Sequence, residues 1–294
     1  MHVTLDGHDT WYETLGTGTP VMVMHGGGLD HASLRPWLDP LDDLARLIYY
    51  DQHGLGRSQR PDDYSGITND TWVEQAESLR RFLGHDKIVA FGHSYGGYIA
   101  LEYALKYPDR VSGLVLLSTA AVLDYAADVL AEAAVRSTKE QFESVMALFH
   151  HPDAVGAAGA VKPPQTDDDL ARLWHAVLPV YSWSLDAAAA EQLLRPVVFS
   201  AKAHNYQVDY LLPAYDVSSR LREIAVPTLV MTGAKDFITT PAAAQRIHTG
   251  IRDSELFIFE NSGHFPYVEE RGLFLQKTRD WLTAQRTRPS RDAS

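Results

Sequence analysis

Three side chains that lie far apart along the chain have the types and surroundings needed for nucleophilic chemistry at a carbonyl group. Ser94 is the centre of a Gly-x-Ser-x-Gly pattern at positions 92–96, and Asp236 and His264 each lie in a short polar turn. A serine hydroxyl is a weak nucleophile at neutral pH, so it needs a base that removes its proton and an acid that orients the base. The sequence therefore predicts Ser94 as the nucleophile, His264 as the base and Asp236 as the group that orients His264.

The positions of these residues along the chain predict that they meet. Each follows a short apolar run that is typical of a buried strand; in chain order the runs are residues 88–91, 228–231 and 256–259. The carboxyl ends of parallel strands lie at one edge of a sheet, where sites are commonly built. We therefore expect Ser94, Asp236 and His264 to lie together at that edge, with Glu260 as the alternative acid.

Two backbone groups are expected to stabilise the negative charge of a tetrahedral intermediate. A His-Gly-Gly-Gly sequence at positions 25–28 follows the apolar run 21–24, and Gly27 is the expected donor from this loop. The second expected donor is the N–H of Tyr95, the residue after the nucleophile. The predicted oxyanion hole therefore consists of Gly27 and Tyr95, whereas His25 is expected to hydrogen-bond within its own loop.

Strand and helix patterns alternate along most of the chain. This alternation predicts an α/β fold with a mostly parallel sheet and helices on both faces. Residues 3–5 and 10–15 predict an antiparallel hairpin at the sheet edge. The predicted strands are residues 21–24, 47–50, 88–91, 111–117, 228–231 and 256–259, and the predicted helices are residues 69–83, 95–107, 241–249 and 272–285.

The alternation stops between residues 120 and 215, where Ala-rich and aromatic stretches predict helices. We interpret this region as a helical cap inserted into the α/β core. The predicted organisation is a first core segment at 1–119, the cap at 120–215, a second core segment at 216–286 and a flexible tail at 287–294. A lid over a pocket contributes to its lining, so the cap residues Trp174, Trp183 and Tyr206 are candidates for contact with a substrate.

The composition excludes several classes of function. The 294 residues carry a formal net charge of −12, which disfavours binding to nucleic acids and to anionic membranes. No cysteine is present, so disulfides and a cysteine nucleophile are excluded. The N-terminal residues are polar and are not expected to form a signal peptide, and no apolar run approaches the length of a membrane-spanning helix. A cytoplasmic protein that acts on a small molecule is expected.

No metal and no cofactor is expected. The adjacent histidines His150 and His151 and the three aspartates at 167–169 are the runs that could suggest a metal site. The aspartates are better explained as the first turn of a helix that Thr166 caps, because acidic residues stabilise helix N-termini. Adjacent histidines in a polar turn are expected to be solvated.

These motifs, in this order, resemble the α/β-hydrolase superfamily, over nearly the whole chain apart from the cap. The sequence Asp-Gln-His-Gly-Leu-Gly-Arg-Ser at positions 51–58 resembles the Asp-Gln-Arg-Gly-x-Gly-x-Ser signature of the proline iminopeptidase family. Two positions depart from that family, with His53 in place of its usual arginine and Gly28 in place of its usual proline. A histidine directly before the nucleophile, as at His93, is commoner in esterases and lactonases than in iminopeptidases.

The resemblance implies a hydrolase that needs no cofactor. Iminopeptidases of this family hold the free amino group of the substrate with carboxylates of the cap, and Asp186, Glu191 and Asp209 are the acidic candidates here. We therefore hypothesise a serine hydrolase that cleaves a small ester, lactone or amide through an acyl-enzyme. It would be either proline-iminopeptidase-like or esterase- or lactonase-like. The alternatives are a non-catalytic receptor for a small ligand and a carbon–carbon bond hydrolase with the same three residues.

Overall fold

The centre of the protein is an eight-stranded sheet, described in a computed structural model that covers residues 1–124, 126–149 and 162–287. The strand order is β1-β2-β4-β3-β5-β6-β7-β8, and all neighbours from β4 to β8 pair in parallel. The strands are β1 (His2–Leu5), β2 (His8–Leu15), β3 (Thr19–Met24), β4 (Ala45–Tyr50), β5 (Ile88–His93), β6 (Val111–Leu117), β7 (Thr228–Gly233) and β8 (Ser254–Phe259).

Helices cover both faces of this sheet and form the segment between β6 and β7. The core helices are α1 (Arg35–Leu38), α2 (Asn69–Phe82), α3 (Tyr95–Lys106), α9 (Pro241–Gly250), α10 (Pro266–Glu269) and α11 (Arg271–Thr287). The helices between β6 and β7 are α4 (Ala126–Arg136), α5 (Lys139–Leu148), α6 (Asp167–Tyr181), α7 (Ala187–Leu194) and α8 (Ala201–Tyr206). Within the described part of the chain, no helix has both the length and the apolarity to cross a lipid bilayer.

The alternating pattern of each strand explains how one sheet supports two cores. Along β3, Met22 and Met24 pack into one hydrophobic cluster, and Val21 and Val23 pack into the cluster on the opposite face. Successive side chains of a strand point to opposite faces, so a strand that is apolar throughout needs cover on both sides. The α/β fold predicted from the sequence is therefore confirmed, including the N-terminal hairpin β1–β2 at the sheet edge.

The predicted elements differ from the observed ones mainly at their ends. Strand β5 continues to His93, and β7 continues to Gly233, because backbone pairing with the neighbouring strand extends past the apolar run. The predicted tail begins at Thr287, which is the last residue of α11; residues 288–294 and the pair His150–His151 lie outside the described residues.

The insertion between β6 and β7 is helical in the residues that the structure describes. Its two ends are joined, since Val122 pairs with Asp216 in an antiparallel bridge and the Val217 N–H donates to the carbonyl of Ala121 at 2.9 Å. The aspartates at 167–169 form the first turn of α6, and the Thr166 hydroxyl accepts from the Asp169 N–H. The division into core and cap remains a prediction. The name cap refers to residues 120–215.

Candidate active site

The nucleophile candidate lies on a strained turn between β5 and α3. Ser94 has φ 54° and ψ −121°, a region that side-chain-bearing residues rarely adopt. A Cβ atom on Gly92 would collide with the carbonyl of Gly96, and one on Gly96 would collide with the carbonyl of Met24. The glycines of the Gly-x-Ser-x-Gly pattern are therefore required by close backbone approach, which lets the turn expose the serine at the end of the strand.

His264 and Asp236 form a buried pair at the same edge of the sheet. The Nδ1 atom of His264 lies 2.9 Å from Oδ2 of Asp236, and both side chains are almost fully buried. The Thr239 hydroxyl donates to the same Oδ2 at 2.8 Å, and the Ile238 and Thr239 N–H groups donate to Oδ1. Asp236, which follows β7, therefore holds the Nδ1–H tautomer of His264 and leaves Nε2 for other partners. The alternative acid, Glu260, is exposed.

The charge of Asp236 is maintained by its surroundings. Burial alone would raise the pKa of Asp236, but His264 and the hydrogen bonds from Thr239 lower it below its ordinary value. A carboxylate that stays ionised beside the imidazole can stabilise the positive charge that His264 gains when it accepts a proton.

The loop that carries His264 is held by hydrogen bonds to two other segments, the end of α6 and the serine turn. The His264 N–H donates to the carbonyl of Tyr181 at the end of α6, at 2.8 Å. The Nε2 atom of His93 lies 3.1 Å from the carbonyl of His264, and burial lowers the pKa of His93 to about 3. A neutral His93 therefore donates from Nε2 to the His264 carbonyl and ties the serine turn to the histidine loop.

Glu269 also holds this loop in place, although no sequence motif predicted a role for it. One carboxylate oxygen accepts from the Trp183 and Ser184 N–H groups at 2.5 and 2.8 Å. The other accepts from the Gly263 and Phe265 N–H groups at 2.9 and 3.3 Å. Burial raises the pKa of Glu269 although four N–H groups face it. In the sequence, Glu269 is recognisable only as an acid five residues after His264. Its role depends on its contact with residues 183–184 of the cap, which no local pattern indicates.

Ser94 and His264 line one cavity of about 490 Å³ between the sheet edge and the cap. The structure describes both side chains and shows no direct hydrogen bond between them, as is common in substrate-free sites, where such contacts tighten on binding. The wall contains no Asp, Glu, Lys or Arg among its described residues. Its apolar part includes Leu123, Leu130, Leu148, Phe149, Val208 and Leu212.

The three cap aromatics that the sequence singled out occupy different places. Trp174 lines the cavity, whereas Trp183 and Tyr206 do not. Trp183 is 55% exposed and packs against the Lys235 ammonium, and the Tyr206 hydroxyl donates to the carbonyl of Ser65 at 3.2 Å. Composition alone could not distinguish an aromatic residue that faces the pocket from one on the outer surface.

The candidate oxyanion donors also border the cavity. Gly27 and Tyr95 both line it, and Gly28 has φ +68°, which proline cannot adopt. The Gly28 N–H donates to Oε1 of Gln207, a cap residue, at 3.1 Å. His25 hydrogen-bonds within its own loop, where Nδ1 donates to the carbonyl of Gly26 at 3.0 Å. Its Nε2 also accepts from the Gln52 N–H at 3.2 Å, and burial lowers the pKa of His25 to about 4.

A buried group of Asp30, His31 and Asp51 lies beneath this loop and is the one described set with metal-ligand spacing. Its carboxylates already accept hydrogen bonds within the protein. Asp51 accepts from the backbone N–H groups of His31 and Arg57 and from Nδ1 of His31. Asp30 accepts from Ala32 and from Val198 of the cap. The group therefore fits a structural network that organises the segment 51–58.

Comparison with known proteins agrees with this architecture. A family model described as alpha/beta hydrolase fold matches residues 19–271. A proline iminopeptidase of Saccharolobus solfataricus is 31% identical over 92% of this chain and 87% of its own length. A proline iminopeptidase of Pestalotiopsis fici is 33% identical over 89% of this chain and 91% of its own length.

Solved structures with the same fold include hydrolases of different specificity. A meta-cleavage product hydrolase from Pseudomonas fluorescens has a TM-score of 0.76 at 19% identity, with 97% of each chain covered. An esterase from Thermogutta terrifontis has a TM-score of 0.73 at 24% identity, covering 98% of this chain and 99% of that one. At these identities the likeness concerns the fold. Together with the family match, it identifies an enzyme of hydrolase fold, and the chain belongs to the α/β-hydrolase fold family.

Proposed function

We propose that this protein is a serine hydrolase that cleaves uncharged, apolar esters or lactones through an acyl-enzyme on Ser94. The observation that carries the proposal is the cavity above Ser94, whose described lining is mostly apolar and contains no carboxylate and no basic side chain apart from histidine. An ammonium group without a partner in such a cavity would lose its hydration with nothing in return. A neutral substrate fits this wall, and we infer that the cap of residues 120–215 shapes it.

The first half of the reaction forms the acyl-enzyme. Nε2 of His264 accepts the proton of the Ser94 hydroxyl while Oγ attacks the carbonyl carbon of the substrate. The carbonyl π electrons move to oxygen, and the N–H groups of Gly27 and Tyr95 stabilise that oxyanion. When the intermediate collapses, the bond to the leaving oxygen breaks and the His264 imidazolium gives its proton to the departing alkoxide.

The second half releases the acid. Water attacks the acyl-enzyme, and its proton passes to Nε2 of His264. The acyl–oxygen bond to Ser94 breaks, and Oγ takes the proton back, so the enzyme returns to its starting state. Asp236 remains ionised throughout, because its lowered pKa keeps the carboxylate available to the imidazolium.

A proline iminopeptidase activity is the second candidate, favoured by the identity of 31–33% to proteins with that name. The three cap acids that the sequence offered for an amino group are all exposed and do not line the cavity. Asp186 instead caps α7, where it accepts from the Ala189 N–H at 2.8 Å. The described wall thus supports an ester or lactone better than a free amine.

A substrate panel tests the proposal. We expect hydrolysis of 4-nitrophenyl acetate, butyrate and hexanoate and of γ-lactones, with kcat/KM at least tenfold above that for prolyl-4-nitroanilide. N-acetylprolyl-4-nitroanilide, which lacks the charge, is the matched control. Preference for the free-amine prolyl substrate over every ester and lactone would reverse the ranking of the two candidates.

Labelling with a fluorophosphonate separates an enzyme from a non-catalytic receptor. We expect one covalent adduct per chain, at Ser94, which disappears in Ser94→Ala. The absence of any adduct in the wild-type protein would favour the receptor. A carbon–carbon bond hydrolase would label in the same way but would release a carboxylic acid from a diketone faster than from any ester in the panel.

A further inference from the structure

Two buried hydrogen-bond donors on the cap side of the cavity have no partner in the described structure. They are Nε2 of Gln207 and Nε1 of Trp174. Both residues line the cavity, and only 2% and 6% of their surfaces are exposed. A buried donor without a partner has lost its hydrogen bonds to water with no replacement, so two such donors in one cavity call for an acceptor.

The contact with the oxyanion loop fixes the position of the Gln207 carboxamide. Its Oε1 accepts from the Gly28 N–H at 3.1 Å, and a Cβ on Gly27 would lie 3.4 Å from the same oxygen. Exchanging the amide oxygen and nitrogen would set two donors against each other, so the hydrogen bond determines the assignment. Nε2 is bonded to the same carbon as Oε1 and therefore lies beside the candidate oxyanion donor Gly27.

Trp174 lies close to the same short stretch of this loop. A Cβ on Gly28 would lie 3.3 Å from the indole Nε1 of Trp174. Gln207 also begins a π-helical turn, Gln207–Leu211, a rare geometry that often occurs at functional sites. Two separate cap helices thus bring an unpaired N–H donor to one stretch of the loop, next to the expected place of the reacting carbonyl.

We propose that Gln207 and Trp174 form a donor subsite for a second oxygen of the substrate, bonded to the carbon next to the scissile carbonyl. The proposal rests on the proposed function and narrows its substrate class. Both donors are uncharged, and the described wall has no Lys or Arg, so the acceptor is a neutral ether, hydroxyl or carbonyl oxygen. The substrate is therefore an ester or lactone that is oxygenated next to its reacting group, with an apolar remainder.

A matched pair of substrates tests the subsite. 4-Nitrophenyl hexanoate and its 3-oxa analogue differ only in that an ether oxygen replaces one methylene. Comparing the ratio of their kcat/KM values between variants cancels the difference in intrinsic reactivity. We expect this ratio, 3-oxa over plain, to fall about tenfold in Gln207→Met and severalfold in Trp174→Phe, as loss of a hydrogen bond predicts.

Two further variants separate the subsite from a structural role. Gln207→Glu keeps an oxygen for the Gly28 N–H but removes both amide donors, and we expect the same fall in the ratio. Gln192→Met makes the same change at an exposed position of α7 and should leave the ratio unchanged. An unchanged ratio in both Gln207→Met and Trp174→Phe, or equal losses on the two esters, would overturn the subsite and leave Gln207 as an anchor of the oxyanion loop.

Binding to an inactive protein makes the result independent of turnover. In Ser94→Ala we expect the 3-oxa ester to bind about tenfold more tightly than hexanoate, measured by quenching of tryptophan fluorescence. This preference should disappear in the double variant with Gln207→Met. If the wild-type protein hydrolyses neither ester but the binding preference is found, the proposed function fails and the subsite stands. Equal affinities of the two esters overturn the subsite.

Discussion

The core side and the cap side of the cavity differ in how their polar groups are used. On the core side, each acceptor oxygen of Asp236 has donors, and the histidine loop is held by His93 and Glu269. On the cap side, the wall is mostly apolar, and two N–H donors remain without a partner in the described structure. The Asp236–His264 pair of the core side is thus held by the protein itself, whereas we propose that a bound substrate supplies the missing acceptors of the cap side.

This difference assigns separate tasks to the two sides. Fixed dipoles and hydrogen bonds stabilise a transition state best when they need no rearrangement, which suits the core side. Shape, apolar surface and open donors select among substrates, which suits the cap side. Changes on the core side should therefore lower turnover of every substrate, and changes on the cap side should alter preferences among substrates.

The largest effect is expected at the nucleophile. Ser94→Ala removes the attacking atom, and kcat for 4-nitrophenyl esters should fall about 10⁶-fold while the fold is retained. Steady-state assays and circular dichroism measure the two quantities. Ser219→Ala changes an exposed serine outside the cap and should retain wild-type activity. Substantial residual turnover in Ser94→Ala would show that another group attacks the carbonyl.

Loss of the carboxylate should have the next largest effect. Asp236→Asn retains the shape of the side chain but can hold His264 in the wrong tautomer, so kcat should fall about 10⁴-fold for all esters. Glu260→Gln, at the exposed alternative acid, should change kcat less than twofold. The reverse outcome, with Glu260 the more sensitive position, would contradict the assignment of the acid.

Glu269 joins the two sides, so its replacement should affect both. Glu269→Gln leaves at least one backbone N–H opposed to an amide, and we expect kcat to fall about tenfold and unfolding to become easier by about 1–3 kcal/mol. Urea denaturation and ester kinetics measure these quantities. The exposed Glu255→Gln is the control. A drop in stability with unchanged kcat would limit Glu269 to a structural role.

A substitution on the cap side should change selectivity. Phe149 lines the cavity, and Phe149→Ala removes apolar surface that a long acyl chain can contact. We expect kcat/KM for hexanoate to fall about tenfold and that for acetate to fall much less. An equal loss on both esters would mean that the cap contributes to reactivity as well as to selection, and would weaken the comparison.

The smallest effect concerns the buried histidines on the core side. Burial lowers the pKa values of His25 to about 4 and of His93 to about 3, below an ordinary value near 6.5. Below pH 6.5 the unfolded chain therefore binds more protons than the native protein, so stability should fall as the pH falls from 7 to 5.5, by roughly 1 kcal/mol for each histidine.

A third buried group acts in the opposite direction. Burial and the nearby Asp51 raise the pKa of Asp30 to about 6, so the native protein holds an extra proton between pH 4 and 6 and offsets part of that loss. Urea denaturation at several pH values measures the slope. His93→Gln should flatten it, whereas His2→Gln, at an exposed strand end, should not. A wild-type slope of the opposite sign would contradict the neutral state of these histidines.

The sequence by itself determined the fold class and the candidate chemistry. Short apolar runs marked the parallel strands, and strand ends share one edge of a sheet, so Ser94, Asp236 and His264 could be predicted to meet. The glycines at 92 and 96 indicated a tight turn, because only a residue without a Cβ permits that backbone approach. These are local patterns with a fixed period or a fixed steric requirement.

Only the tertiary structure decided which cap residues face the cavity and what holds the histidine loop. Trp174, Trp183 and Tyr206 are alike in sequence, but helix orientation turns one inward and leaves the other two outside the wall. Glu269 and Gln207 gain their roles from contacts with segments about 85 and 180 residues away. Such contacts depend on how packed helices are placed in space, and no local period in the sequence encodes that placement.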